Sequence, residues 1–231
     1  MDKLAGPRQA VTAAADRAAG APRSRCLACT RPRNACICSW VTPVATSLEL
    51  LILQHPMETA NAKGSARLLH LSVAGSRLVE GERFDPLELN ALLSGGGRVP
   101  VLLYPETQGE RALGLPAPPL LDARLLAAPA SLRLVVLDGT WRKSRKMLYQ
   151  NPLLQLLPRL ALTAMPASQY LIRMAHAPDQ LSTLEATCYA LAQLEGDTVR
   201  LAPLVASFER FVARFAATGG RLDNWDDPLF E

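Results

Sequence analysis

Aromatic residues make up only 5% of the 231-residue chain, no apolar stretch is long, and neither sign of charge dominates. With so few aromatics, the core has to be built mostly from Leu, Ala and Val. The longest apolar stretches, Leu48–Leu53 and Leu132–Leu137, fall far short of the ~20 residues that a membrane-spanning helix needs, so no span and no membrane partner are expected. The net charge of +4, from 25 basic and 21 acidic residues, permits an acidic partner such as nucleic acid but does not demand one. Internal repeats are absent, and so are low-complexity tracts beyond the first residues. What is present is an ordinary globular composition, 49% hydrophobic and 20% charged. A chain of this length buries roughly 70–75% of its unfolded surface on folding, enough for a sizeable core.

Three regions follow from the texture of the chain. Residues 1–25 are Ala-rich, with Lys3, Arg8, Arg17, Arg23 and Arg25 against Asp2 and Asp16, and so hold most of the net charge. The apolar run Ala10–Ala15 is too short and weak for a secretory signal, and the acids argue against an organelle transit peptide. A disordered basic tail on a cytoplasmic protein is expected. Residues 26–45 hold a compact cysteine segment. Residues 46–231 alternate strand and helix signals, which implies an α/β domain with a mostly parallel sheet. Strands are expected over Leu48–Gln54, Val99–Tyr104, Leu132–Leu137, Arg159–Leu162 and Gln169–Arg173. Helices are expected over Asn61–Ala74, Leu87–Leu93 (stopped by Gly95–Gly97), Trp141–Tyr149, Pro152–Leu157, Ser182–Leu194 and Thr198–Ala217.

Cys26, Cys29, Cys36 and Cys38 are spaced C-x2-C-x6-C-x-C. Four soft thiolates so close together can wrap one tetrahedral ion, with zinc favoured. Disulfides or free thiols and an iron–sulfur cluster are the rival readings. With every position filled by protein, a zinc site here is structural. The fifth cysteine, Cys188, sits mid-helix and reads as core.

Leu134–Leu137 runs into Asp138-Gly139-Thr140-Trp141. Ligands of open α/β sheets sit just beyond the carboxyl ends of strands. Gly139 allows close backbone approach, Asp138 supplies a carboxylate at the mouth, and Trp141 offers a flat stacking face. The same tetrapeptide also reads as a helix cap followed by a core Trp. Arg142, Lys143, Arg145 and Lys146 then place four bases on one helix with no acid among them. That suits a phosphate backbone, or else a solvated face. Ser182 with Glu185 three residues on forms the capping-box pattern; a helix start of this kind is also an anion site. His55, at the end of a strand, reads equally as a site residue or a strand-end histidine.

Read together, the chain resembles the DTW-domain family. The pieces occur in family order: the cysteine cluster, His55-Pro56-x-Glu58, Asn61, the Ser65–Leu69 helix with Arg67, Tyr104-Pro105, Asp138-Gly139-Thr140-Trp141, Asn151-Pro152, Tyr170 with Arg173, and Ser182-Thr183-x-Glu185-Ala186. Ala62 departs from the pattern, where the family has Thr after the Asn. The resemblance implies a SPOUT-like knotted cofactor site. It also implies transfer of the 3-amino-3-carboxypropyl group of S-adenosylmethionine to N3 of a uridine in tRNA, with release of 5′-methylthioadenosine. The donor site would map to Leu103, Tyr104, Pro105, Leu137, Asp138, Gly139, Thr140, Trp141, Ser182, Thr183 and Glu185. Asp138 would be either the catalytic base or a ligand of the donor's ammonium group. Arg67, Arg142, Lys143, Arg145, Lys146 and Arg173 would contact tRNA, with Arg25, Arg31 and Arg33 of the zinc knuckle adding to that surface. A monomer is expected. A SAM-dependent RNA methyltransferase and a non-catalytic zinc-containing RNA-binding protein are the alternatives.

Overall fold

The computed structural model describes residues 25–59, 61, 65–105, 117–162 and 181–217. The expected strand Gln169–Arg173, the departure at Ala62 and nearly all of the basic tail lie outside the described residues. Within them the chain builds one five-stranded sheet from β1 (Glu49–Gln54), β2 (Arg77–Glu80), β3 (Val99–Leu103), β4 (Leu132–Asp138) and β5 (Arg159–Leu160). The strand order is β2-β1-β4-β3-β5 and every pairing is parallel.

The central position of β4 follows from its composition. All seven of its residues are buried, as a strand covered on both faces requires. Side chains alternate between faces along each strand. Leu50, Ile52, Leu134 and Val136 enter one core layer, beneath α1 (Ala66–Ser72), α6 (Thr183–Glu195) and α7 (Ala202–Ala217). Leu51, Leu53, Val135 and Leu137 enter the other, against α2 (Pro86–Ser94), α4 (Trp141–Gln150) and α5 (Pro152–Gln155). Each such Leu or Val contributes roughly 1.5–3 kcal/mol on burial. A further helix among the described residues, α3 (Ala123–Leu126), is a single turn capped by Asp122.

The cysteine segment is not an appendage. Cys29 and Ile37 are fully buried in the first core layer, and Trp40 meets Phe211 of α7 edge-on at 6.2 Å. Besides Asp138 at its end, β4 carries a second buried charged residue, Arg133. Arg133 pairs with Glu49 and donates to the carbonyls of Leu92, Leu93 and Gly95, so it closes the carboxyl end of α2. Gly96 and Gly97 take φ of +74° and +70° just after that helix, a conformation open to glycine.

Two elements escape a sequence reading. β2 carries only Leu78 and Val79 between Arg77 and Glu80 and forms a half-buried sheet edge, so it has no apolar run to announce it. α3 is too short to show periodicity. The helix expected from Asn61 is described as helix only over Ala66–Ser72.

Candidate functional site

The strands are parallel, so their carboxyl ends converge on one edge, and a cavity of about 230 Å³ opens there. β3 contributes Leu103 and the following Tyr104 and Pro105. β4 contributes Val136, Leu137 and the following Gly139. β5 contributes Leu160 with Ala161 and Leu162. Trp141 and Ser144 of α4 and Leu181, Ser182, Thr183 and Ala186 at the start of α6 complete the wall. Trp141 is 49% exposed and stands edge-on to Tyr104, with ring centroids 5.6 Å apart. The Arg159 guanidinium lies 5.2 Å from the centre of the Tyr104 ring and fixes that ring by a cation–π contact.

Eight of the expected donor-site residues therefore share one cavity: Leu103, Tyr104, Pro105, Leu137, Gly139, Trp141, Ser182 and Thr183. Three do not line it. Asp138, expected at the mouth, is only 4% exposed. Its Oδ1 accepts from Thr183 Oγ1 at 2.6 Å and its Oδ2 accepts from Gln54 Nε2 at 2.9 Å. The carboxylate thus lies beneath the cavity and ties the start of α6 to the end of β1. Thr140 is exposed, and its hydroxyl caps the Lys143 amide at 3.4 Å. Glu185 is buried and completes the capping box: Oε2 accepts from the Ser182 amide at 2.8 Å, while the Glu185 amide donates to Ser182 Oγ at 3.2 Å.

Gly139 has a steric reason. A Cβ there would lie 3.1 Å from the Lys143 Cβ and 3.7 Å from the His55 Cβ, so the turn is pressed between α4 and the segment after β1. His55 itself is buried. Its Nδ1 accepts from the Met57 amide at 3.1 Å, and its Nε2 faces Glu82 at 3.4 Å. Of its two readings, the structural one fits.

The basic residues divide. Arg142 and Arg145 are exposed on α4 and Arg67 is half-buried on α1. Lys146 is exposed but paired with Glu82 at 2.6 Å, which holds the Glu82 carboxyl below the usual range. Lys143 is paired with the buried Glu58 at 2.8 Å. Arg31 is also buried and reaches the Asn61 carbonyl at 3.4 Å rather than facing solvent, whereas Arg25 and Arg33 are exposed. Arg173 lies outside the described residues. Sequence reasoning missed Gln54 and Ser144. For Gln54 a signal existed: a polar residue ends the apolar run Leu50–Leu53.

Among the described residues, one cluster has metal-ligand character. The sulfurs of Cys26, Cys29, Cys36 and Cys38 all lie within 4.8 Å of one another. Cys26 and Cys38 approach to 3.6 Å and Cys29 and Cys36 to 3.7 Å. Four ligands at ~2.3 Å from a tetrahedral centre stand about 3.8 Å apart, so this donor set fits zinc, whereas a disulfide needs about 2.05 Å. The backbone amides of Cys29 and then Ala28 aim at the Cys26 sulfur and lower its pKa to about 6, favouring the ligating thiolate. Burial pushes Cys36 and Cys38 up. Burial likewise pushes the core thiol of Cys188 up to about 12.

Comparison with known proteins adds three observations. The DTW domain matches over residues 23–216. The mouse protein tRNA-uridine aminocarboxypropyltransferase 2 is 30% identical over 181 residues, covering 75% of this chain and 57% of its own length. Its fruit-fly namesake (Drosophila melanogaster) is 32% identical over 75% of this chain and 67% of its own length, and tRNA-uridine aminocarboxypropyltransferase A of Arabidopsis thaliana is 29% identical over 60% and 55%. The chain thus spans between about half and two thirds of these relatives. No solved structure matches it. Among the described residues no helix is long and apolar enough to cross a membrane.

Proposed function

The chain belongs to the DTW-domain family, and on that premise we propose that it transfers the 3-amino-3-carboxypropyl group of S-adenosylmethionine to N3 of a uridine in tRNA, releasing 5′-methylthioadenosine. The observation that carries the proposal is the cavity at the carboxyl edge of the parallel sheet, walled by three strand ends and the start of α6. The relatives' names give the reaction class.

When bound, the donor supplies an electrophilic methylene on a sulfonium, whose sulfur leaves as a neutral thioether while the N3–carbon bond forms and the N3 proton is released. The chain's own part is placement. Strict positioning alone lowers such a barrier by roughly 7–11 kcal/mol. The apolar wall of Leu103, Val136, Leu137 and Leu162 excludes water, while the Ser182 hydroxyl offers a donor to a carboxylate. Asp138 acts through Thr183 and Gln54, because both of its oxygens are already engaged with them. Glu185 acts through the capping box. The half-exposed face of Trp141 and the exposed Arg142 and Arg145 lie on the acceptor side.

Zinc in the cysteine knuckle, tRNA as acceptor, a SPOUT-like knot around the cavity and a monomer working in the cytoplasm complete the proposal. So does the division into a basic tail (1–25), a metal segment (26–45) and a catalytic unit (46–231). The reaction is tested by incubating the purified chain with S-adenosylmethionine and unmodified tRNA, then digesting the RNA to nucleosides for mass spectrometry. A uridine heavier by one aminocarboxypropyl group, with methylthioadenosine in equal amount, is expected. A methylated uridine with S-adenosylhomocysteine would overturn the proposal.

A further inference from the structure

Glu58 is the carboxylate that the proposed chemistry leaves unused. It is 3% exposed, on the short turn Pro56–Glu58 after β1. Its Oε1 takes Lys143 Nζ at 2.8 Å and its Oε2 accepts from Asn61 Nδ2 at 2.8 Å. The segment carrying it is tied to the reactive turn a second time, because the His55 amide donates to the Asp138 carbonyl at 2.9 Å. Between the two ties sits Gly139, where a Cβ would press on Lys143 at 3.1 Å and touch His55 at 3.7 Å. Lys143 also stands in the first turn of α4, where its amide and that of Ser144 bond back to Thr140. Fixing Lys143 therefore fixes the geometry of Gly139, Thr140 and Trp141. A buried carboxylate of this kind is destabilising when left without its partner, which favours keeping the ion pair made.

We propose that Glu58 and Lys143 form a clamp that positions the Asp138–Trp141 turn for transfer, and that Lys143 is not a contact for the RNA backbone. The inference rests on the function proposed above.

The test uses the full chain with Lys143→Met, Glu58→Gln and the double variant. Transfer to tRNA is followed at several salt concentrations, and amide hydrogen exchange of Lys143 and Ser144 is measured alongside. The clamp predicts that each single substitution lowers kcat about 10–100-fold, as small misplacement does. It predicts KM for tRNA within about twofold, an unchanged salt slope, and a double variant no worse than the worse single one, as expected of one coupled unit. Both singles lose protection at the two amides. If instead Lys143→Met raises KM and reduces the salt slope by about 1 while Glu58→Gln tightens tRNA binding, Lys143 is a phosphate contact and the clamp is overturned. Should a single variant fail to fold, the neutral double variant carries the kinetic comparison, and its full activity would overturn the clamp. Should the wild-type chain show no transfer, the proposed function fails separately, and unchanged exchange in both singles would still overturn the clamp.

Discussion

Asp138→Asn separates a positioning carboxylate from a proton-abstracting one. The carboxylate is 4% exposed, with one oxygen on Thr183 at 2.6 Å and the other on Gln54 at 2.9 Å. Hydrogen bonds to a charged group are worth about 1.5–3 kcal/mol and neutral ones about 0.5–1.5, so the amide forfeits about 1–1.5 kcal/mol at each contact. Asparagine can keep both contacts only if Gln54 turns its amide over or Thr183 rotates its hydroxyl to accept. The expected loss in unfolding free energy is about 2–3 kcal/mol. Because Thr183 and Ser182 line the cavity, part of that loss also appears in donor binding, as a fall in affinity of about tenfold, or about 1.4 kcal/mol. Urea unfolding and isothermal calorimetry with S-adenosylmethionine measure the two quantities. If stability and donor affinity both stay at wild-type values while turnover falls 10²–10⁴-fold, as loss of a general base would cause, the positioning role is wrong.

The other predictions use separate parts of the fold. Glu185→Gln keeps the capping box, since Gln accepts the Ser182 amide as Glu does, so unfolding free energy should change by less than about 0.5 kcal/mol and donor affinity should hold; a tenfold loss of affinity would make Glu185 a ligand. Ser182→Ala removes the side-chain acceptor at the start of α6 and should cost about 1 kcal/mol in urea unfolding, with no change pointing to a helix held wholly by its packing. Cys36→Ser should abolish one bound equivalent of zinc, measured by plasma mass spectrometry, and loosen the Trp40–Phe211 contact, seen in tryptophan emission; full retention of metal would exclude Cys36 as a ligand. Glu49 is held below the ordinary carboxylate range, first by its hydrogen bond with Arg133. Its stabilisation is therefore present above the unfolded value of ~4.3 and is lost as pH falls through the lower folded value. The acid limb of stability against pH should be shallower in Glu49→Gln, and an identical limb would show that the pair contributes nothing.

How far the sequence discloses this molecule depends on whether a feature is local. β1, β3 and β4 are runs of aliphatic residues and declare themselves, as do the amphipathic α7 and the capping box of α6. The parallel sheet follows from the alternation, and the cavity's place from the strand ends. β2 stays hidden because an edge strand needs no continuous apolar run. The partners of the polar site residues are equally hidden, for a different reason. Asp138 meets Gln54 and Thr183, and Lys143 meets Glu58, across separations of 84, 45 and 85 residues. Nothing in the local pattern of Arg142–Lys146 shows that Lys143 and Lys146 meet carboxylates from elsewhere in the chain. The turn at Asp138 reads as a ligand-facing carboxylate from its position, yet the side chain points into the sheet end, where two donors wait for it.

The most direct measurement is the product ratio from a single reaction of purified chain, S-adenosylmethionine and unmodified tRNA. One methylthioadenosine formed per 3-amino-3-carboxypropyl uridine, with both lost when Trp141 and Ser182 are replaced together, is the predicted result. Equal amounts of S-adenosylhomocysteine and methylated uridine, or donor that never binds in the cavity beside Trp141, would contradict it.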